Sequence, residues 1–158
     1  MSRIARIINQ NGYYHVISRS INETRIFKEP SDFHHFLQLH REAKTKHPIR
    51  LFHYVVMRTH FHFIVQTPDH LTISKHIAFL KWNYTKWVKK KYGWKGPLWR
   101  ERFKSIPIEN EIYLANCGRY IEFNPVRDGL CASPEEYPYS SYRKYYLGIK
   151  DAFVDEGG

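Results

Sequence analysis

Apolar positions along the chain recur with two periods, and the points where the period changes mark the elements. YYHVISR (residues 13–19) follows Gly12 and is rich in aromatic and β-branched residues, which predicts a strand. Pro30-Ser31-Asp32 then opens a helical spacing through Phe33, Phe36, Leu37, His40 and Ala43, closing near Pro48. Two alternating apolar runs follow, IRLFHYVVM (49–57) and HFHFIVQ (60–66), with Arg58-Thr59 between them. Their closeness predicts a hairpin, although Arg-Thr lacks the Asn-Gly signature of a tight turn. Ile73, Ile77, Leu80, Tyr84 and Val88 predict a second helix over about 72–92, broken by GWKGP (93–97). RFKSIPI (102–108) reads as a fourth strand, and Pro107 points to a sheet edge. Asn110 caps a third helix that must stop near Asn124, because Pro125 disfavours helical geometry in the residue before it.

Strand, helix, strand, strand, helix, strand is the order of a split βαβ, ferredoxin-like α+β fold: a four-stranded antiparallel sheet with helices packed on one face. The third helix is an addition at the C-terminal side. A chain of 158 residues suits one such domain, expected over residues 1–150. The remainder, DAFVDEGG (151–158), is acidic and glycine-ended and is expected to be flexible and loosely attached.

Composition narrows the function classes. Twenty-five Lys and Arg against fifteen Asp and Glu give a net charge of +10 and a pI near 9.6, which points to a polyanionic partner. The charge is concentrated: residues 81–104 carry nine basic side chains against Glu101 alone, together with all four tryptophans, Trp82, Trp87, Trp94 and Trp99. Interleaved cations and rings suit a single-stranded nucleic acid, where phosphates pair with the cations and unpaired bases stack on exposed rings. The helical spacing of this segment assigns part of those rings to the core instead. No apolar run is long enough for a membrane span, and MSRIARIINQ lacks a signal-peptide core, so the expected compartment is the cytoplasm. Cys117 and Cys131 supply neither a disulfide framework nor a four-ligand zinc set.

Two constellations can carry chemistry. His60-Phe61-His62 lies in a strand pattern, so both imidazoles share a face, about 6.5–7 Å apart at Cα, and can converge on one divalent cation. Two surface histidines would share that spacing. On the third helix Tyr113, Cys117, Tyr120 and Asn124 are spaced by four, three and four and predict one stripe, with Tyr120 and Asn124 a turn apart. Composition alone does not separate Tyr120 from the other eleven tyrosines, and Asn124-Pro125 also fits a simple turn.

YYHVISR, VVMRTHFHFIVQTP, GPLWRERFKSIPI, RYIEFNPVRDGL and YPYSSYRKY together resemble, in that order, the single-tyrosine HUH transposases. The branch most similar is that of the REP-associated tyrosine transposases, within the IS200-like insertion-sequence enzymes. The resemblance covers residues 10–146 and implies the same ferredoxin-like sheet. It also implies that His60 and His62 bind a divalent metal, Mg²⁺ or Mn²⁺, that Asn124 is a third ligand, and that Tyr120 is the nucleophile. Two positions depart from the family pattern: Met57-Arg58-Thr59 stands where M-P-N is usual, and Ser20 where glycine is common. The implied partner is single-stranded or hairpin DNA, with Arg19, Lys81, Lys86, Arg100 and Arg102 as candidate contacts. A homodimer is also compatible with the family. The implied reaction is metal-dependent strand cleavage and transfer through a covalent 5′-phosphotyrosine. Two other readings share these residues: a domesticated module that holds nucleic acid without cutting it, and a hydrolase in which the histidine pair activates water.

Overall fold

The computed structural model describes residues 12–156. Four strands, β1 (Gly12–Arg19), β2 (Arg50–Val56), β3 (His60–Thr67) and β4 (Lys104–Ile108), form one sheet in the order β2-β3-β1-β4. Every neighbouring pair is antiparallel, so β1 and β2 run parallel with β3 between them. Helix α1 (Pro30–Lys46) connects β1 to β2, and α2 (His70–Tyr92) connects β3 to β4. This is the ferredoxin-like split βαβ expected from the element order, with Pro107 on the edge strand β4.

Local chemistry sets the helix limits. Glu29 and Asp32 form a reciprocal capping box at the start of α1, with Pro30 at its first position. The Asp69 carboxylate accepts the Thr72 N–H at the start of α2. Gly93, at φ 66°, ends α2 in the left-handed conformation that glycine adopts without a Cβ penalty. Asp32 also ties the two helices together. Its carboxylate, fully buried, accepts from Lys91 (2.8 Å), Tyr92 (2.5 Å) and Trp87 (2.9 Å) near the end of α2. Burial alone would raise its pKa, but these donors hold it well below the usual carboxylate range.

Alternation along the strands divides the sheet into two faces. Val16, Phe61, Phe63, Val65, Tyr54 and Val56 pack under α1 and α2 in the larger core. Val55, Met57, Ile64 and Ile108 point the other way, where Ile121 of α3 (Glu111–Glu122) and Tyr137 cover them. The two connecting helices share one face, as expected for the split βαβ unit, and the added helix α3 covers part of the other. The cause is legible in β3, whose residues His60–Val65 are all buried, so both sides of that strand require cover.

Two expectations are corrected. Trp87, Trp94 and Trp99 pack against the edge of the core, and Trp82 alone of the four keeps its ring in solvent, 70% exposed. The tail is seated as far as Glu156. Asp155 accepts the Leu51 N–H (2.8 Å) and donates its own N–H to the Leu51 carbonyl (2.8 Å), Asp151 accepts from the Tyr54 hydroxyl (2.7 Å), and Val154 is buried. The segment thus covers the β2 edge of the sheet. Residues 157–158 lie outside the described residues. Among the described residues no helix is long and apolar enough to cross a membrane.

A buried histidine pair between α1 and α2 makes stability sensitive to acid. His76 Nδ1–H donates to the His47 carbonyl (3.0 Å), so His76 Nε2 is the acceptor for His40 Nδ1–H (2.9 Å). His40 Nε2 is then left with a lone pair and no partner among the described residues. Burial pushes His76 down to about 4 and His40 well below its ordinary value. Both stay neutral in the folded protein, whereas in the unfolded chain they take up protons below about pH 6.5. Folding stability should therefore fall as pH drops below that value, by up to about 1.4 kcal/mol per pH unit for each histidine. Urea midpoints at pH 7 and pH 5 test this: the midpoint should fall, and fall less in His40→Leu/His76→Gln. Equal slopes in the two proteins would refute the assignment.

Candidate active site

The sheet face that α3 only partly covers carries the polar residues. Register places Arg19 opposite His60, Ile17 opposite His62 and His15 opposite Ile64. On the other side of β1, Ile17 lies opposite Lys104 and His15 opposite Ile106. His15, His60, His62, Arg19 and Lys104 therefore project from one face of the sheet.

His62 is the hub of a buried polar chain. Its ring lies 5.1 Å from both the His60 and the His15 rings, centroid to centroid. The Asn124 amide Nδ2 faces His62 Nε2 at 3.0 Å, and His62 Nδ1 faces His15 Nε2 at 2.8 Å. With Asn124 donating, Nε2 carries the His62 lone pair and Nδ1–H donates to His15. His60 Nδ1 lies 2.9 Å from the Thr59 hydroxyl. Burial, followed by the charge of Arg19, pushes His60 down to about 4, while Asp128 opposes the shift. For His62 burial dominates, reinforced by His60, His15, Arg19 and Arg127, and the value falls to about 2. Both imidazoles are therefore neutral at neutral pH; the His62 Nε2 lone pair accepts the Asn124 N–H, and a cation would take that place with the Asn124 amide turned to present its oxygen.

This donor set suits a hard or borderline divalent cation. Two neutral imidazoles and an amide oxygen are ordinary ligands, and they leave coordination positions free for oxygens of a substrate. No cluster of three or more His, Cys, Asp or Glu side chains able to hold a metal exists among the described residues. A metal here would thus depend on the Asn124 amide as third ligand, a residue type outside that set.

Asn124 reaches the histidines because α3 ends before it. The helix runs from Glu111 to Glu122, capped by Asn110, whose side chain accepts the Tyr113 N–H (2.8 Å). After Phe123 a separate turn, α4 (Asn124–Arg127), begins with Pro125 in its first positions. The expected single stripe is accordingly bent: Tyr113 and Tyr120 are exposed, Cys117 is half-buried and Asn124 is buried. Tyr120 is 53% exposed, its ring lies beneath the Arg127 guanidinium at 4.0 Å, and no hydrogen bond joins it to His60, His62 or Asn124 among the described residues.

The other side of α3 is clamped to the sheet. Glu122, buried, accepts from His53 (2.8 Å) and from the Ser141 hydroxyl. Gly118 lies against the His53 ring, where a Cβ would come within 2.7 Å of its atoms. Only glycine allows helix and strand to approach this closely.

Of the five candidate DNA contacts, Arg19, Arg100 and Arg102 line one groove together with Lys104 and Glu101, next to His60. Lys81 supports that groove from behind: its ammonium donates to the Glu101 carbonyl (2.9 Å) and lies 5.1 Å over the Trp99 ring. Lys86 is exposed on α2, on the opposite side of the sheet, and is not brought to the site. The sequence pattern did not single out His15, Lys104 or Arg127. His15 and Lys104 share the alternation of Arg19 and Ile106, but only the strand register shows that they face the histidine pair.

Comparison with known proteins identifies the family. The family described as "Transposase IS200 like" matches residues 9–124. A Haemophilus influenzae protein named for the REP-associated tyrosine transposases is 27% identical over 120 residues, covering 69% of this chain and 68% of its own. A solved REP-associated tyrosine transposase, bound to a REP hairpin, superposes with a TM-score of 0.72 at 20% identity, covering 94% of this chain and 87% of that one. A Deinococcus radiodurans chain named as a transposase gives a TM-score of 0.50 at 20% identity, covering 70% of this chain and 88% of its own. The matched span runs through β1, the histidine pair, Tyr120 and Asn124, and the protein belongs to the IS200-like transposase family.

Proposed function

We propose that the protein cleaves and rejoins single-stranded DNA at hairpin-bearing sites, through a covalent 5′-phosphotyrosine on Tyr120. The observation that carries this reading is the meeting of His62 with Asn124, 62 residues apart in sequence, on the face where the Arg19–Arg100–Arg102 groove opens. A divalent cation, Mg²⁺ or Mn²⁺, held by His60, His62 and Asn124 would supply positive charge to the non-bridging oxygens of the scissile phosphate. The groove arginines pair with neighbouring phosphates and set the path of the strand. Tyr120 Oη attacks phosphorus, its proton passing to solvent, as the P–O3′ bond breaks and the leaving oxygen takes a proton to become a 3′-hydroxyl. The phosphotyrosine retains the phosphodiester linkage energy, so a second 3′-hydroxyl can displace Tyr120 without an added energy source. A hairpin substrate is favoured by the likeness in fold to a transposase solved with a REP hairpin.

The test is incubation of the protein with labelled hairpin oligonucleotides, drawn from repeats flanking its source gene, in Mn²⁺. A denaturing gel should show a DNA–protein adduct that chelation abolishes. Tight hairpin binding with no adduct would favour the non-cleaving module, and metal-dependent turnover with no adduct would favour activated water.

A further inference from the structure

Arg127 stands where the two halves of the site meet. Its guanidinium lies 4.0 Å from the centroid of the Tyr120 ring, and one of its nitrogens donates to the Tyr120 carbonyl. The side chain is exposed and has no carboxylate partner among the described residues. Beside it is a shallow depression of about 380 Å³ with a mainly apolar floor at Phe123 and Val126, bordered by Asn116, Arg119, Tyr120 and Arg127 itself. A cation next to an apolar shelf with an amide at its rim matches the alternation of phosphate and base in a nucleotide.

We propose that Arg127 is a catalytic residue of strand cleavage, gripping the scissile phosphate, and that the adjoining depression seats the neighbouring nucleotide. This rests on the reading of Tyr120 as nucleophile. A planar guanidinium can engage two phosphate oxygens at once, which a point charge cannot, and it therefore orients phosphorus toward an attacking atom. Its rest position over the Tyr120 ring keeps nucleophile and cation together before DNA arrives. As the Tyr120 Oη–P bond forms and the P–O3′ bond breaks, negative charge grows on the non-bridging oxygens that Arg127 holds. The departing electron pair goes to O3′, which is protonated from water. A purely structural role is the competing account, because a cation bonded to the Tyr120 carbonyl also caps the C-terminal end of α3.

Single-turnover adduct formation by the full chain, with hairpin oligonucleotide and Mn²⁺, separates the two. Arg127→Ala should react about 10²–10³-fold more slowly, the loss typical of removing one charge-stabilising donor. Hairpin binding in chelator should weaken far less than the rate, by about tenfold at most, the urea midpoint should stay near wild type, and added guanidinium ion at millimolar concentration should restore part of the rate. Arg127→Lys can still cap α3, yet should remain slower than wild type by about tenfold. Wild-type rates in Arg127→Ala, or a slow rate that tracks a lowered urea midpoint and is fully recovered by Arg127→Lys, would overturn the proposal while leaving Tyr120 in place. Absence of any adduct from the wild-type protein would instead overturn the Tyr120 reading, and this proposal with it.

Discussion

Tyr120→Phe is expected to bind hairpin DNA as the wild-type protein does and to form no covalent adduct at all. The substitution removes a single oxygen from a ring that is 53% exposed and whose hydroxyl makes no hydrogen bond among the described residues. Nothing in the core depends on that oxygen, so the folding stability should change by less than about 0.5 kcal/mol, as for other exposed positions away from special features. The ring keeps its place beneath Arg127, and the groove of Arg19, Arg100 and Arg102 is untouched. Chemistry is different, because no neighbouring hydroxyl can take over without moving: Tyr113 is two turns back on α3 and Tyr137 is buried with its hydroxyl bonded to the Val56 carbonyl. The loss should exceed about 10³-fold, since a nucleophile that acts as part of a unit takes the whole covalent route with it. Electrophoretic binding, denaturing gels and a urea melt on the same preparation measure all three quantities. Cleavage that persists in Tyr120→Phe would move the nucleophile to another tyrosine or to water.

How much of this was legible in the sequence depended on whether the controlling interaction was local. Asn110 and Gly93 mark helix ends through bonds within four residues, and the expected limits near 92, 110 and 124 fall at or next to the observed ones. His60 and His62 were readable because strand alternation is also local, and the structure places both on one face. What escaped were consequences of register and packing. His15 faces His62 only because β1 pairs antiparallel with β3 in one particular register. The tryptophan cluster looked like a stacking surface, but Trp87 is claimed by Asp32, 55 residues earlier, and Trp99 by Thr85. The acidic tail looked unattached because its partners, Leu51 and Tyr54, are about a hundred residues away. Tyr120 was singled out by likeness to a family and not by any physical signal of its own.

The second large effect is expected at His62, where the polar chain converges. His62→Ala takes away the Nε2 lone pair that faces Asn124 and the Nδ1–H that donates to His15, in a side chain only 3% exposed. Buried Asn124 then loses its partner, at about 1–3 kcal/mol if it is left unsatisfied, and half-buried His15 loses one that water can partly replace. Lost activity alone would therefore prove little. Metal-linked stability distinguishes the causes, because a ligand that binds only the folded protein raises its stability by about 2.7 kcal/mol at a hundred times its dissociation constant. Wild-type protein should melt at a higher temperature in Mn²⁺ than in chelator, and His62→Ala should lose that increment together with at least about 10²-fold in adduct formation. His15→Ala serves as the contrast, since it removes the partner of His62 Nδ1 but leaves Nε2 in place. It should lose about tenfold in metal affinity, the lower end for the loss of a supporting hydrogen bond, and so keep about half of the Mn²⁺ increment. An undiminished Mn²⁺ increment in His62→Ala would place the metal elsewhere and leave the His62–Asn124 contact as packing. Loss of the increment in His62→Ala but not in a destabilised core variant such as Phe63→Leu would tie it to the imidazole itself, because Phe63 faces the opposite side of the same strand.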